Sequence, residues 1–235
     1  MKSAVLALLS AAIFAAPAQE ARTIRLRTLC LEHSGGLKKV LLAGPDDKKP
    51  AGEVDLFTSA FSEEIETTLT GPELRFVVVD RDGKGAEILK TVASAKAVPG
   101  ERQLALFLPG APGGTPYRLL VLDDSEEKFP MGSTLVFNLS SSPVRFAIGE
   151  NTRDLKPRGN GLIPQARKIN AMNQTPVVIS FAGADGTFAP VNSTRWLATD
   201  RQRTLAIAFI HPHTRRPSVT AYQDTPPWRL PKLGS

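Results

Sequence analysis

The sequence predicts an all-β protein made of two sandwich modules in tandem, and three observations lead there. Apolar residues come in short runs of strand length. Gly, Pro and Asp clusters separate those runs, and no stretch of about twelve residues or more is delimited by helix caps. Many brief strands joined by Gly/Pro turns bury their apolar faces as a sandwich or a barrel.

In chain order the first runs are TIRLRTLCL, KKVLLAG, EVDLFTSAF, ELRFVVVD, RQLALFL and YRLLVLD. STLVFNLS, VRFAIG, PVVISFAG, RTLAIAFI and SVTAY follow. Between them GPDDKKP, DRDGKG, PGAPGGTP, SSSP, KPRGNG, GADG and HPHTRRP carry the residues that turns require. GAEILKTVASAKAV is the best helical candidate, yet its Val and Thr suit a strand as well.

An offset of 101 residues lays RQLALFL (102–108) on RTLAIAF (203–209), matching Arg102 with Arg203, Leu104 with Leu205 and Ala105 with Ala206. Without a gap, the same offset places Pro116 on Pro217 and Asp123 on Asp224. Upstream, LRFVVVDRDG and PVVISFAGADG both close on Asp-Gly, which suits a tight turn needing positive φ. Such echoes are a common mark of a repeated module. The expected division is a signal peptide at 1–18, a first module at 23–124, a second at 129–224 and an irregular tail at 225–235. DDSEEKFP, between the modules, reads as a hinge or a close connector. The tail TPPWRLPKLGS holds too much proline for a strand, and either drapes over the second module through Trp228 or frays.

The N-terminus has one lysine, an apolar run from Ala4 to Ala16 and the triplet Ala16-Pro17-Ala18. That order predicts a secretory signal cleaved near Ala18, and a secreted or periplasmic protein. Cys30 is the only cysteine, so no intrachain disulfide can form. A buried thiol is expected, with an interchain bridge as the alternative.

The composition, 42% hydrophobic and 22% charged, is that of a globular protein. Its net charge of +6 is uneven: residues 1–150 carry 17 Lys or Arg against 19 Asp or Glu, and residues 151–235 carry 12 against 4. Clustered cations suit phosphates, but an export signal argues against nucleic acid. An anionic glycan, an envelope lipid or an acidic protein surface is the expected partner, with an ordinary soluble surface as the plain alternative.

The segment KFPMGSTLVFNLSSSPVRFAIGENTRDLKP resembles part of a group of uncharacterised secreted bacterial proteins with immunoglobulin-like sandwiches, in which an "fNlS" strand leads to a short "v-r-f-x-i-g" strand. The resemblance spans about thirty residues and contains no chemical motif. It implies immunoglobulin-like β-sandwich modules and an envelope or extracellular setting; it implies no reaction.

Candidate chemistry is sparse. His211 and His213 share the parity of Leu205, Ile207 and Phe209, so a continuing strand would aim both rings one way, as a metal site requires. Pro212 cannot donate to a sheet ladder, which favours a hairpin tip. His33 and Glu32 form the only other histidine-bearing stretch, far away in sequence. No metal and no cofactor are therefore expected. Asp80-Arg81-Asp82-Gly83-Lys84-Gly85 faintly resembles a calcium loop but reads as a solvated turn. Asn138, Asn173 and Asn192 stand in Asn-x-Ser/Thr triplets that take glycans only in a eukaryotic secretory setting. No G-x-S-x-G elbow and no phosphate-cradling glycine loop occurs.

What remains is recognition by surface. Arg195, Trp196, Arg201, Arg203, Arg215 and Arg216 are the candidate contacts, because arginine beside an aromatic is frequent where glycans and proteins are bound. The expected protein is a secreted, non-catalytic binding or scaffold component. A secreted metal-dependent hydrolase using His211 and His213 is the rival, and a purely structural subunit the third reading.

Overall fold

A computed structural model of the chain describes residues 21–44 and 49–231. The expected signal peptide at 1–18 and the end of the tail lie outside the described residues. The fold is all-β. In the first half, β1 (Arg22–Cys30), β4 (Ile65–Leu69), β7 (Arg102–Pro109) and β8 (Tyr117–Asp123) form a sheet ordered β4-β1-β7-β8. The strands β2 (Lys39–Ala43), β3 (Pro50–Asp55), β5 (Glu73–Arg81) and β6 (Glu87–Lys96) form a second, ordered β3-β2-β5-β6.

The second half repeats this arrangement. One sheet holds β9 (Thr134–Asn138), β12 (Asn160–Ile163), β15 (Arg203–Ile210) and β16 (Pro217–Asp224), ordered β12-β9-β15-β16. The other holds β10 (Val144–Ile148), β11 (Asn151–Leu155), β13 (Gln174–Ala182) and β14 (Phe188–Leu197), ordered β11-β10-β13-β14. Both orders are those of the first half with each label raised by eight, down to the parallel pairing of β1 with β7 and of β9 with β15. The helical candidate at 85–98 forms β6, whose Val and Thr settle into a ladder with β5.

Strand positions sharpen the echo. The strands β5, β6 and β7 begin at 73, 87 and 102, and β13, β14 and β15 at 174, 188 and 203, each displaced by 101 residues. The turns match as well. The Asp82 N–H donates to Ala86 O and the Gly85 N–H to Asp82 O, as the Gly183 N–H does to Thr187 O and the Gly186 N–H to Gly183 O. Gly85 and Gly186 sit at φ of 84° and 81°, a region costly for a side chain. The glycine that matches Gly186 is therefore Gly85, two residues beyond the Asp-Gly pair that the sequence suggests.

A second correction concerns the aspartates. The β7–β8 ladder closes at Pro109 and Tyr117, whereas the β15–β16 ladder closes at Ile210 and Pro217, so the second connection is one residue shorter. Arg203 consequently pairs with Asp224, and the residue opposite Arg102 is Asp124, whose N–H donates to Arg102 O. Asp124, not Asp123, is the counterpart of Asp224.

The four sheets pack as layers. One core lies between the sheets of the first half and includes Ile24, Leu26, Phe76 and Phe107. Another lies between those of the second half, around Val136, Phe146, Ile179 and Ala206. A third core joins the halves: Leu29, Leu104, Leu106 and Leu108 meet Phe137, Leu205, Ile207 and Tyr222. The strand β7 is thus buried without a break from Gln103 to Leu108, and β15 from Leu205 to Ala208. A strand covered on both faces reads as a continuous apolar run, which is how RQLALFL and RTLAIAFI look.

Candidate functional site: a charged junction and a cleft between the halves

The shared layer ends in two different ways. At the end where β7 and β15 begin, four charged side chains meet away from solvent: Arg27 and Asp124 from the first half, Arg203 and Asp224 from the second, each 3% exposed or less. The Arg27 Nε donates to Asp124 Oδ2 at 2.8 Å and its Nη2 to Asp124 Oδ1 at 3.1 Å. The Nη1 and Nη2 of the same guanidinium donate to Asp224 Oδ1 and Oδ2 at 2.8 and 2.7 Å. Arg203 donates from Nε to Asp224 Oδ2 at 2.8 Å, from Nη2 to Asp124 Oδ1, and from Nη1 to the carbonyls of Asp124 and Phe129 at 3.1 and 2.9 Å.

Two positive and two negative charges cancel, and the planar fork of arginine matches each carboxylate. Burial opposes the charge on Arg27, but the two aspartates outweigh it and hold the guanidinium above its ordinary value. Burial pushes the Asp124 carboxyl up, while Arg27 and Arg203 pull it back. Aromatic rings close the site: Arg203 lies 4.3 Å from the Phe129 ring, and Arg27 5.0 Å from that of Phe61 and 5.3 Å from that of Trp228.

Trp228 belongs to a short 3-10 turn, Pro227–Arg229. Its indole Nε1 donates to Glu126 Oε1 at 2.9 Å, its ring also stacks 4.0 Å from the Arg102 guanidinium, and Arg229 pairs with the same Glu126. The bonds from Arg229 and Trp228 pull the Glu126 carboxyl down to about 2, with burial opposing. The described part of the tail therefore lies across the junction of the halves. DDSEEKFP is a tight connector: the N–H groups of Lys128 and Phe129 both donate to Ser125 O, and Asp124 and Phe129 are buried.

At the opposite end, where β7 and β15 finish, the halves diverge and leave a cleft of about 320 Å³. Leu31, Leu108, Leu139, Phe209 and Ile210 give it apolar walls, and Glu32 and Arg118 are its charged lining residues. Asn138 fixes one wall. Fully buried, it donates to the carbonyls of Ser142 and Lys156 at 2.8 and 3.0 Å and accepts from the N–H and hydroxyl of Ser140 at 2.9 and 2.6 Å. The Asn-Leu-Ser triplet is thus an internal brace, and a glycan has no access to Asn138.

The sequence candidates scatter. His211–Arg216 is the tip between β15 and β16, and Pro212 sits within it. Because β15 ends at Ile210, the parity that would turn both rings to the core does not carry into the tip; His213 is largely exposed, yet it reaches the other half, its Nε2 lying 3.1 Å from Glu32 Oε1. His211 Nδ1 accepts from the N–H groups of His213 and Thr214 at 3.3 and 3.4 Å. Among the described residues no three His, Cys, Asp or Glu side chains gather as a metal site would need.

Arg203 is no surface contact, because its guanidinium is consumed in the buried junction. Trp196 is half-buried against the second-half core. Arg195 and Arg201 are exposed near the start of β15, and Arg215 and Arg216 at its far end. An eight-residue strand separates the two pairs, about 25 Å of chain, so the six residues form no single patch. Cys30 is fully buried; burial pushes its thiol up to about 11, and its Sγ donates to Glu32 O at 3.2 Å. An interchain bridge has no route to it. The Asp82 carboxylate accepts from the N–H groups of Lys84 and Ala86, which makes the calcium-like stretch a self-capped turn.

Arg27, Asp124, Glu126 and Arg118 carry the two sites and were not among the candidates. Arg27 carried no distinctive signal, since its strand also holds Arg22, Arg25, Thr23 and Thr28. No protein-family model matches the chain, and no curated protein matches it either.

Proposed function

We propose that this is an exported, non-catalytic binding protein built from two immunoglobulin-like sandwiches of common origin, and that it holds an anionic partner outside the cytoplasm. The observation that carries the reading is the use made of its charges. The buried ones are saturated against one another, which favours rigidity over chemistry. At the opposite end, Lys156, Arg158, Arg215 and Arg216 project from the turns of the second half, exposed and without an ion-pair partner among the described residues. Exposed cations on a rigid frame steer and hold anions. The shared sheet orders and the constant displacement of 101 residues favour a duplicated module over a chance echo.

Titration of the mature protein with heparin, and separately with vesicles of anionic lipid, tests the reading. Binding that weakens steeply between low and high salt, and that is lost in the Lys156→Glu, Arg158→Glu, Arg215→Glu, Arg216→Glu variant, is expected. No salt-sensitive binding in either titration refutes it. One observation favours the rival hydrolase, namely the meeting of His213 with Glu32 across the halves. Elemental analysis of protein purified without an affinity tag decides that case, because a stoichiometric transition metal lost on replacing His211 and His213 supports the enzyme.

A further inference from the structure

We propose that the cleft between the halves is a binding site for a linear amphipathic carboxylate, with Arg118 as the head-group contact. This goes beyond the polyanion reading and rests on different residues. In the β7–β8 ladder Leu104, Leu106 and Leu108 stand opposite Leu122, Leu120 and Arg118. Those three leucines of β7 enter the shared core, so Arg118, Leu120 and Leu122 present the same face of β8 to the second half. Arg118 is exposed at the rim, and its side chain makes no ion pair or hydrogen bond among the described residues. A guanidinium on the inner face of an edge strand, above an apolar cleft, is an unanswered charge beside a dry wall.

The stripe leads onward. Leu120 is half-buried, and Leu122 lines a second cleft of about 380 Å³ with Val98, Pro99, Leu135 and Phe137, whose remaining lining residues are Asp123, Lys128 and Asn160. From Arg118 to Leu122 the strand advances about 13 Å, the span of a medium-length acyl chain. Glu32, the one acidic side chain lining the first cleft, stands two strands away across β7, about 10 Å from β8, and its Oε1 faces His213 Nε2. The site therefore offers a carboxylate a cation at one end, an apolar track behind it, and an acid already engaged by another partner. Pockets of this size, mostly apolar with a few placed polar groups, at the seam of two units, are where small ligands bind.

Calorimetric titration of the mature protein with decanoate, dodecanoate and decylammonium, each below its micellar concentration, tests the assignment. Dodecanoate binds roughly fifteenfold more tightly than decanoate, given about fourfold for each of two buried methylenes, and decylammonium binds far more weakly. Arg118→Gln weakens both carboxylates by about tenfold or more while keeping the chain-length dependence, and Arg118→Lys restores part of the loss. Leu122→Asn removes the advantage of the longer chain. Three results overturn the proposal: neither carboxylate binds, decylammonium binds as tightly as decanoate, or Arg118→Gln changes nothing. Heparin binding that persists when neither carboxylate binds, or carboxylate binding without heparin binding, separates the two readings.

Discussion

Asp224→Asn keeps the size of a side chain and removes one charge from the junction of the halves. Asp224 is 3% exposed and accepts three charge-assisted hydrogen bonds, two from Arg27 at 2.8 and 2.7 Å and one from Arg203 at 2.8 Å. In the native chain two guanidiniums face two carboxylates. In the variant they face one, and the new amide turns N–H donors toward donors. Breaking a buried pair in this way costs about 3–5 kcal/mol, because a charge is left without either water or a partner. The carbonyl of Asn keeps one acceptor, which places the expected loss near the lower end of that range. Urea unfolding followed by circular dichroism reads it as a fall in midpoint at constant slope. Asp154→Asn is the control: its partner Arg145 is bound in the same paired geometry, but the carboxylate is 51% exposed, so the loss stays below about 1 kcal/mol. The pair Arg27→Met, Asp224→Leu leaves Arg203 and Asp124 balanced and recovers at least half of the loss. If Asp224→Asn costs no more than the exposed control, the argument from saturated buried charge is wrong.

Leu106→Ala removes a fully buried side chain from the core between the halves and costs about 2–5 kcal/mol; hydrogen exchange accelerates in both halves together, and acceleration confined to the first half contradicts the shared layer. Cys30 reacts with Ellman's reagent at neutral pH only as fast as the protein unfolds, since burial both shields the thiol and pushes it up to about 11; prompt labelling of the folded protein speaks against the packing of β1. Glu126 titrates from an ordinary value of 4.5 down to about 2, so its hold on Arg229 and Trp228 is complete above about 4.5 and is lost as pH falls toward 2. Trp228 emission, read in a Trp196→Phe background, shifts to the red across that window, and Glu126→Gln abolishes the transition.

Much of the fold is written locally. Gly-rich and Pro-rich clusters mark the strand ends, and RQLALFL and RTLAIAFI match because β7 and β15 occupy the same place in matching sheets. The burial of both faces of these strands is legible in their unbroken apolar runs once four layers, and not two, are considered. The sites are less legible because they are assembled between the halves. Arg27 meets Asp224 across 197 residues and Glu32 meets His213 across 181, separations at which spacing carries no information. Distance along the chain was the reason to keep Glu32 apart from the histidines, and the stacking of inner sheets removes that reason. Arg203 looked like a surface cation because its type is usually exposed; only its position opposite Asp224, which a one-residue difference in hairpin length sets, shows otherwise.

The apolar layer between the inner sheets also decides what a single half would be. Cut at the connector, either piece would display a raft of apolar side chains and aromatic rings to water, with an arginine–aspartate pair at its rim missing its cross-half partners. A lone unit of this kind would expose an apolar face that favours self-association. Carrying both halves on one chain makes that encounter intramolecular, and the halves supply their seam arginines from different places: Arg203 from the start of β15 and Arg27 from within β1.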